Sequence, residues 1–315
     1  MSLLSSPRFG KGKIHELIVR LMENKIIDGR SIAEGVLKEV KEEVIHLEKK
    51  GVHPRLRVIL VGEDPASLSY VAGKTSTARK IGMDSETIHL PADVSEREVI
   101  SIVETLNADT SVHAILVQSP MPSHISEERV FSSISPVKDV DGLHPENMGL
   151  LALGRPRVIP CTPLGIQWLL LRSGNPPEGR HVVIVGRSNL VGRPLSILLS
   201  LKSPGSNATV TLCHSLTRDL SKYTLEADIL VAAVGKPHAI RSEMVPAGCV
   251  VIDVGVNRIP DPSKRSGFRL VGDVEFESLL PKVKGITPVP GGVGPMTVAM
   301  LMKNVITLCK MQTKT

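Results

Sequence analysis

Between residues 31 and 50, apolar side chains fall at Ile32, Val36, Val40, Val44 and Leu47, with lysines and glutamates filling the gaps. That spacing of three to four predicts an amphipathic helix with one buried stripe. The pattern then changes to short β-branched runs separated by longer mixed stretches. Strands are predicted over 56–62, 86–90 and 114–118, and helices over 66–81 and 95–106. Strands alternating with helices imply a parallel sheet covered on both faces. Prolines and glycines then crowd residues 120–163, in PMP, SPV, DGLHP, GRP and PCTP, which reads as loop, linker and domain boundary. A second alternating set follows, with strands at 181–185, 209–213, 228–234 and 250–254 and a helix from 193. After Gly285 a glycine-rich loop feeds an apolar helix that runs to the C-terminus. No strand follows this helix to continue the second sheet, so it is expected to pack back on the first domain.

A chain of 315 residues has room for two cores at roughly 150 residues per domain, in keeping with the two alternating sets. Hydrophobic residues at 42% and charged residues at 22% are ordinary globular values, which excludes disordered and collagen-like chains. One Trp, two Tyr and four Phe leave little for stacking bases, so nucleic-acid binding is not expected despite a net charge of +6 and a sequence pI near 9.2. The basic residues are interleaved with acids, a balance that suits phosphorylated or polycarboxylate small molecules. Cys161, Cys213, Cys249 and Cys309 form no CxxC pair and the histidines no HExxH, so neither a metal site nor a disulfide framework is expected. No run reaches 18 uninterrupted apolar residues, so no membrane span or membrane partner is expected either. Residues 1–24 read as an N-terminal extension and the location as cytoplasmic. Arg8, Lys11 and Lys13, with no acid nearby, make an organellar transit peptide the alternative.

The strongest single motif is VVIVGRSNLVGRP, where a strand runs into a helix through Gly186, Ser188 and Gly192. A tight turn of this kind brings backbone N–H groups and the positive helix end towards a pyrophosphate. The spacing is GxSxxxG and not GxGxxG, which an ordinary strand-to-helix turn also explains, but its place at the head of an alternating unit favours a nucleotide-binding domain. The next strand ends at Cys213-His214-Ser215 with no acid before Asp219. With Arg187 on the preceding loop, that end suits a 2′-phosphate, which a carboxylate would repel, and NADP is expected over NAD. The alternative is that His214 and Ser215 only cap the turn. In the first half, Tyr70 and Lys74 lie four apart on a predicted helix and share a face. Gln118 ends a parallel strand, where open α/β sheets bind ligands, and Asp139 and Asp141 stand in KDVDG. Taken singly, a solvated lysine, a loop-fixing amide and a DG turn are the commoner explanations of these three. Gly291, Gly292 and Gly294 leave bare backbone that admits a ligand, or merely a domain-linking turn.

In order, Tyr70-x-x-x-Lys74, Val117-Gln118-x-Pro120, KDVDG, PCTP, Gly186-Arg187-Ser188 and PGGVGPMT resemble the bifunctional methylenetetrahydrofolate dehydrogenase/methenyltetrahydrofolate cyclohydrolase family over about residues 25–310. The resemblance implies a two-domain α/β protein. An αβα catalytic domain with a parallel sheet would span 25–155, completed by a C-terminal helix at 295–315, and a Rossmann-type NADP-binding domain would span 156–294. It implies NADP-dependent oxidation of 5,10-methylene-tetrahydrofolate to the 5,10-methenyl cation, then hydrolysis to 10-formyl-tetrahydrofolate. The setting would be one-carbon metabolism, tetrahydrofolate interconversion and purine biosynthesis. By similarity Lys74 is catalytic in the hydrolytic step, Gln118 is its hydrogen-bonding partner, Tyr70 is a stacking surface and Asp141 anchors the pterin. Val71, Ala72, Gly73, Val117, Ser119, Pro290, Gly291, Gly292, Val293 and Gly294 would complete the substrate site. Gly186, Arg187, Ser188, His214, Ser215 and Val256 would bind NADP. Tetrahydrofolate derivatives, polyglutamylated forms included, would be the substrates, and the family implies a homodimer.

The residue types fit these roles. A cationic substrate beside a lysine favours loss of the lysine's proton, and a neutral glutamine can orient that amine without adding charge. An aspartate can accept from the pterin's amino and ring N–H groups. Ser119 and Met121 replace the leucines usual in the family, and Leu216 stands where a basic residue is common. An NAD-linked dehydrogenase alone and a non-catalytic binding protein are the alternatives; Lys74, Gln118 and the acid-free strand end argue against the first, and the presence of Lys74 against the second.

Overall fold

Short polar side chains set where the first helices begin. Asp28 accepts from the N–H groups of Arg30 and Ser31 and opens α1 (Gly29–Glu48). Asp64 accepts from Ser67 N–H at 2.7 Å and, with Pro65 behind it, opens α2 (Pro65–Lys80). Ser95 and Glu98 form a reciprocal capping box on α3 (Glu96–Ala108). The structure, a computed structural model, describes residues 24–264 and 267–315, so the extension expected at 1–24 lies outside the described residues up to position 23. The periodic residues Val36, Val40, Val44 and Leu47 are the buried stripe of α1. Among these helices β1 (Arg55–Val61), β2 (Asp84–Leu90) and β3 (Ala114–Val117) form a parallel sheet in the order β2-β1-β3. Every residue of β3 is buried, the signature of a strand covered on both faces.

Residues 120–163 are not the continuous loop expected. They contain α4 (Glu127–Ser133), α5 (Pro145–Ala152) and the start of α6 (Cys161–Arg172). Two of the prolines that suggested a break sit in first helical turns, where the missing N–H has no intrahelical partner to lose. Pro145 follows the cap His144, whose Nδ1 accepts from Glu146 N–H, and Pro163 lies in the first turn of α6.

The second unit runs β4 (His181–Val185), α7 (Gly192–Ser200), β5 (Thr209–Cys213), α8 (Leu220–Thr224), β6 (Ile229–Ala232) and β7 (Val250–Asp253). An antiparallel hairpin of β8 (Asn257–Pro260) and β9 (Phe268–Val271) follows, then α9 (Phe276–Leu279), β10 (Gly285–Ile286) and α10 (Val293–Thr313). Five strands pair in parallel in the order β10-β7-β6-β4-β5. The chain leaves β4 towards β5 and then crosses to β6 on the other side, which opens a crevice at the carboxyl ends of these strands. The hairpin was not expected, since its strands are half-exposed and carry no sustained apolar alternation.

α10 packs against both α1 and α6. Its Asn304 donates to the carbonyls of Val140 and Ile159, each at 2.9 Å, and its Gln312 donates to those of His113 and Val137. Leu56 and Leu116 of the first sheet share one apolar cluster with Val182, Ile184 and Val231 of the second. Residues 25–27 extend the second sheet, with Ile27 N–H donating to Ile286 C=O at 2.8 Å and Ile286 N–H to Lys25 C=O at 2.9 Å. The two sheets are therefore held in place by residues 25–27, α6 and α10 together.

Candidate active site

The carboxyl ends of β3, β7 and β10 border one cleft, made of three adjoining cavities of about 160, 300 and 470 Å³ that share lining residues. The inner cavity is lined by Lys74, Gln118 and Asp141. The middle one is lined by Lys74, Gln118, Tyr70 and Val256, and the outer one by Tyr70, Val256 and residues 288–295.

Lys74 Nζ donates to Gln118 Oε1 at 2.9 Å, and Gln118 Nε2 donates to Ser119 C=O at 2.5 Å. The amide is thus oriented from both ends, with its oxygen towards the lysine. Gln118 is placed by the strand before it, since its N–H donates to Ile59 C=O and prolongs the ladder by one residue. Ser119, in place of a leucine, donates its hydroxyl to Glu127 Oε1 at 2.7 Å, and the same oxygen accepts from Met121 N–H. That carboxylate pins the loop on which Gln118 sits. Tyr70 and Lys74 face the cleft together, as their spacing requires. Burial of the Tyr70 ring raises its hydroxyl pKa, and nearby Arg258 lowers it in part. The three residues between them do not line the cleft. Val71 is turned into the core, Gly73 meets open space, and Ala72 borders a separate shallow depression with Arg79. Successive helical residues rotate by about 100°, so five in a row cannot share a face.

The KDVDG segment divides its work. Lys138 Nζ donates to the carbonyls of Leu106, Asn107 and Asp109 at 2.7–2.9 Å and caps the end of α3, and burial lowers its pKa. Asp139 Oδ2 accepts from His144 N–H and Asn147 Nδ2, both at 2.8 Å, and burial pushes its carboxyl up to about 6. Only Asp141 borders the cavity with Lys74. The turn beyond it needs Gly142, whose φ is +67° and whose absent Cβ would lie 3.3 Å from Pro160. The Cys161 thiol is buried here, and its pKa is raised by burial and by the Asp141 charge. Thr162 and Thr297, which sequence reasoning left without a role, hydrogen-bond to each other at 3.0 Å across the starts of α6 and α10 and line the inner and middle cavities.

On the other side the backbone does the shaping. Gly186 has φ +125°, and a Cβ there would lie 2.0 Å from Ala233 C=O; a Cβ on Gly192 would lie 1.8 Å from Gly186 C=O. Gly186 N–H donates to Cys213 C=O at 2.9 Å, which sets the glycine loop beside residues 214–215. Arg187, Ser188 and Ser215 are exposed at this edge. His214 also serves the turn, its Nδ1 accepting from Leu216 N–H and its N–H donating to Thr217 Oγ1. Leu190 and Val191 carry this loop to the walls of the inner and middle cavities. Bare backbone, the N-terminus of α7 and a strand end free of carboxylates fit a phosphorylated dinucleotide.

A pair of acids missed by sequence reasoning supports the wall around Val256. Asp253 accepts from the N–H groups of Gly255, Asp273 and Val274, and Asp273 from those of Val234, Gly235 and Lys236 and from Asn257 Nδ2. Burial, with Asp273 adjacent, pushes Asp253 up to about 7. The one trace in the sequence is a glycine near each. A Cβ on Gly255 or Gly272 would lie 2.1 or 1.7 Å from the opposing carboxylate. The loop from Pro290 to Gly294 lines the outer cavity throughout and rests on α1, where a Cβ on Gly29 would lie 1.9 Å from Gly292 C=O.

Two family models match the chain: tetrahydrofolate dehydrogenase/cyclohydrolase, catalytic domain, over residues 27–141, and the NAD(P)-binding domain of the same family over 160–313. A protein named Bifunctional protein FolD, from Prosthecochloris aestuarii, is 50% identical over 284 residues, covering 89% of this chain and 96% of that protein. The crystal structure of a FolD methylenetetrahydrofolate dehydrogenase/cyclohydrolase from Campylobacter jejuni matches with a TM-score of 0.84 at 44% identity, over 90% of this chain and 98% of that one. A Trypanosoma brucei methylenetetrahydrofolate dehydrogenase-cyclohydrolase, complexed with NADP cofactor and inhibitor, matches with a TM-score of 0.87 at 40% identity, over 92% and 98%.

Proposed function

The chain belongs to the tetrahydrofolate dehydrogenase/cyclohydrolase family, and from that premise we propose that it oxidises 5,10-methylene-tetrahydrofolate with NADP and hydrolyses the methenyl product to 10-formyl-tetrahydrofolate in the cleft described above. The observation that carries this reading is the 2.9 Å contact of Lys74 Nζ with Gln118 Oε1 in a cavity that also takes Asp141. NADP, when bound, supplies the hydride acceptor. Gly186, Ser188 and the start of α7 would hold its phosphates, with Arg187 and Ser215 at the 2′-phosphate. Loss of the hydride from the methylene carbon needs alignment of two rings and no proton transfer, so in this step the protein's task is positioning. Tyr70 offers a flat face in the middle cavity, and Asp141 accepts hydrogen bonds from the pterin deeper in.

The second step needs proton movement. Water adds to the methenyl carbon and loses one proton to give a carbinolamine; the carbon–N5 bond then breaks as the remaining hydroxyl proton leaves and N5 takes up a proton, which leaves the formyl group on N10. Gln118 takes one N–H of Lys74 and fixes the amine's direction. The cationic ring beside the amine favours release of its proton by like-charge repulsion, which prepares it to accept one from the attacking water. The resemblance also supports assembly as a homodimer, and analytical ultracentrifugation that found a monomer at assay concentrations would overturn that part. A spectrophotometric assay with 5,10-methylene-tetrahydrofolate tests the main reading. Methenyl absorbance should form with NADP faster than with NAD and then decay enzymatically. No turnover with either cofactor, or formation without catalysed decay, would refute it.

A further inference from the structure

One wall of the inner cavity comes from α4, the helix that the sequence did not lead us to expect. Its Phe131 lines that cavity beside Lys74 and Gln118. Glu127 lies four residues earlier, so the two side chains share a face of the helix. While Phe131 borders the cavity, the Glu127 carboxylate reaches the loop that leaves β3. A single oxygen of it, Oε1, accepts from the Ser119 hydroxyl at 2.7 Å and from Met121 N–H at 3.1 Å. The helix that carries this carboxylate is itself fastened to α3. Glu96 Oε2 accepts from Ser126 N–H at 2.8 Å and from Arg129 Nη2 at 3.0 Å, and its Oε1 lies 2.8 Å from Arg129 Nε. Glu127 is therefore held at a fixed place before it holds anything else.

What that place controls is the Gln118 amide. A glutamine side chain has an acceptor end and a donor end of similar size, and only the acceptor end can take an N–H from Lys74. Gln118 Nε2 donates to Ser119 C=O, so the position of that carbonyl decides which end faces the lysine. Rotated by half a turn, the amide would set N–H against N–H and leave the amine undirected. Ser119 thus carries both the carbonyl that selects the orientation and the hydroxyl that Glu127 holds. The leucine usual in the family at this position has no donor to offer, so the serine of this chain adds a second bond to the same carboxylate. We propose that Glu127 is a positioning residue for the hydrolytic step, acting through Ser119 and Gln118 on the direction of Lys74 Nζ. This rests on the reading above, in which Lys74 takes a proton from the attacking water. Proton transfer depends on the direction of the accepting amine, whereas hydride transfer depends on the alignment of two rings, so the two activities respond differently to Glu127.

The test is a double-variant cycle read on both activities. Glu127→Ala should lower kcat for methenyl hydrolysis about tenfold and lower the ratio of hydrolysis to dehydrogenation by nearly as much. Glu127→Gln keeps an oxygen at the same place and should restore most of the hydrolysis. Ser119→Ala removes one of the two bonds and should fall between them. In a Gln118→Ala background there is no amide left to orient, so Glu127→Ala should cost less than a further twofold in hydrolysis. If Glu127→Ala lowers Tm below the assay temperature, Ser119→Ala carries the same cycle. If hydrolysis by Gln118→Ala is too slow to follow, the contrast of Glu127→Gln with Glu127→Ala decides, and a glutamine that restores nothing would overturn the proposal. So would an equal loss of both activities in Glu127→Ala, the same tenfold loss with and without Gln118, or hydrolysis at the wild-type rate. Each of these leaves the two activities of the wild type, and with them the folate reading, standing. A wild type that does not hydrolyse the methenyl compound would remove that reading and the role of Glu127 together.

Discussion

On the wall of the cleft that carries Lys74, the groups facing the ligand are side chains held by other side chains. Lys74 is directed by Gln118, the loop of Gln118 by Glu127, and the loop of Asp141 by Asn304. On the wall that carries Gly186 the groups are backbone, and what matters is the absence of side chains at Gly186 and Gly192. The first wall can lose one function and keep its shape, because the loops that carry Gln118 and Asp141 are held by Glu127 and Asn304, which lie outside the cleft. The second cannot, because the atom that a substitution adds collides with the main chain that forms the site.

Lys74→Met is the sharpest break on the first wall. Removing a group that transfers protons costs roughly 10²–10⁴ in rate, so methenyl hydrolysis should fall by about 10³. Folate should still bind, and hydride transfer, which depends on alignment, should survive in part. Following the decay of methenyl absorbance checks this, and hydrolysis at the wild-type rate would remove Lys74 from the mechanism. On the second wall, Gly186→Ala should behave differently. A Cβ 2.0 Å from Ala233 C=O, on a residue with φ +125°, forces the backbone to move. NADP affinity should drop by about two orders of magnitude and Tm should fall with it, a loss of ~2–3 kcal/mol. Calorimetric titration and a melt measure both. A variant with wild-type Tm and NADP affinity would show that this close approach is not needed.

The same contrast explains what the sequence disclosed. Tyr70 with Lys74, Gln118 at a strand end and the glycines of 186–192 are local patterns, and the structure brings each to the cleft or its edge. Alternating strands and helices gave the two parallel sheets for the same reason. What stayed hidden depends on distant partners. Asp253 and Asp273 meet through loops 20 residues apart, Thr162 meets Thr297 across 135, and Arg30 and Arg258 come to line the outer cavity together only after folding. The helices within 120–163 were hidden for another reason, because a proline looks the same in a loop as in a helix's first turn.

Asp141→Ala tests whether one side chain on the Lys74 wall can fail alone. A charge-assisted hydrogen bond is worth ~1.5–3 kcal/mol, so folate affinity should fall about ten- to a hundredfold. Both activities should decline in parallel because both use the same bound pterin. NADP affinity should stay within about twofold of wild type, since the glycine loop is built separately. Binding titrations with each ligand decide it: a variant that loses NADP and keeps folate would refute the division between the walls.

The smallest effect on activity, and the closest control, comes from Asp139→Asn. Asp139 lies two residues from Asp141 but is buried, and a single oxygen, Oδ2, accepts both of its hydrogen bonds, so an asparagine oxygen can take its place. Folate and NADP turnover should change by less than about twofold, because the side chain borders none of the three cavities. Stability should respond to pH instead. The native carboxyl keeps its proton up to about 6, against 3.8 for the ordinary group, so the native state binds more protons than the unfolded chain between those values. The contribution is full below about pH 4, is lost as pH rises through 6, and does not change further above that. Asparagine has no such loss. Urea melts at pH 4 and pH 7 should therefore show the variant gaining on wild type by roughly 1–3 kcal/mol across that interval. Taking the difference between the two proteins cancels Asp253, which titrates in the same direction. A difference that stays flat from pH 4 to 7 would mean that Asp139 is ionised in the folded protein. The buried carboxyl would then titrate no differently from one in the unfolded chain, and burial would not distinguish it from the ligand-facing Asp141.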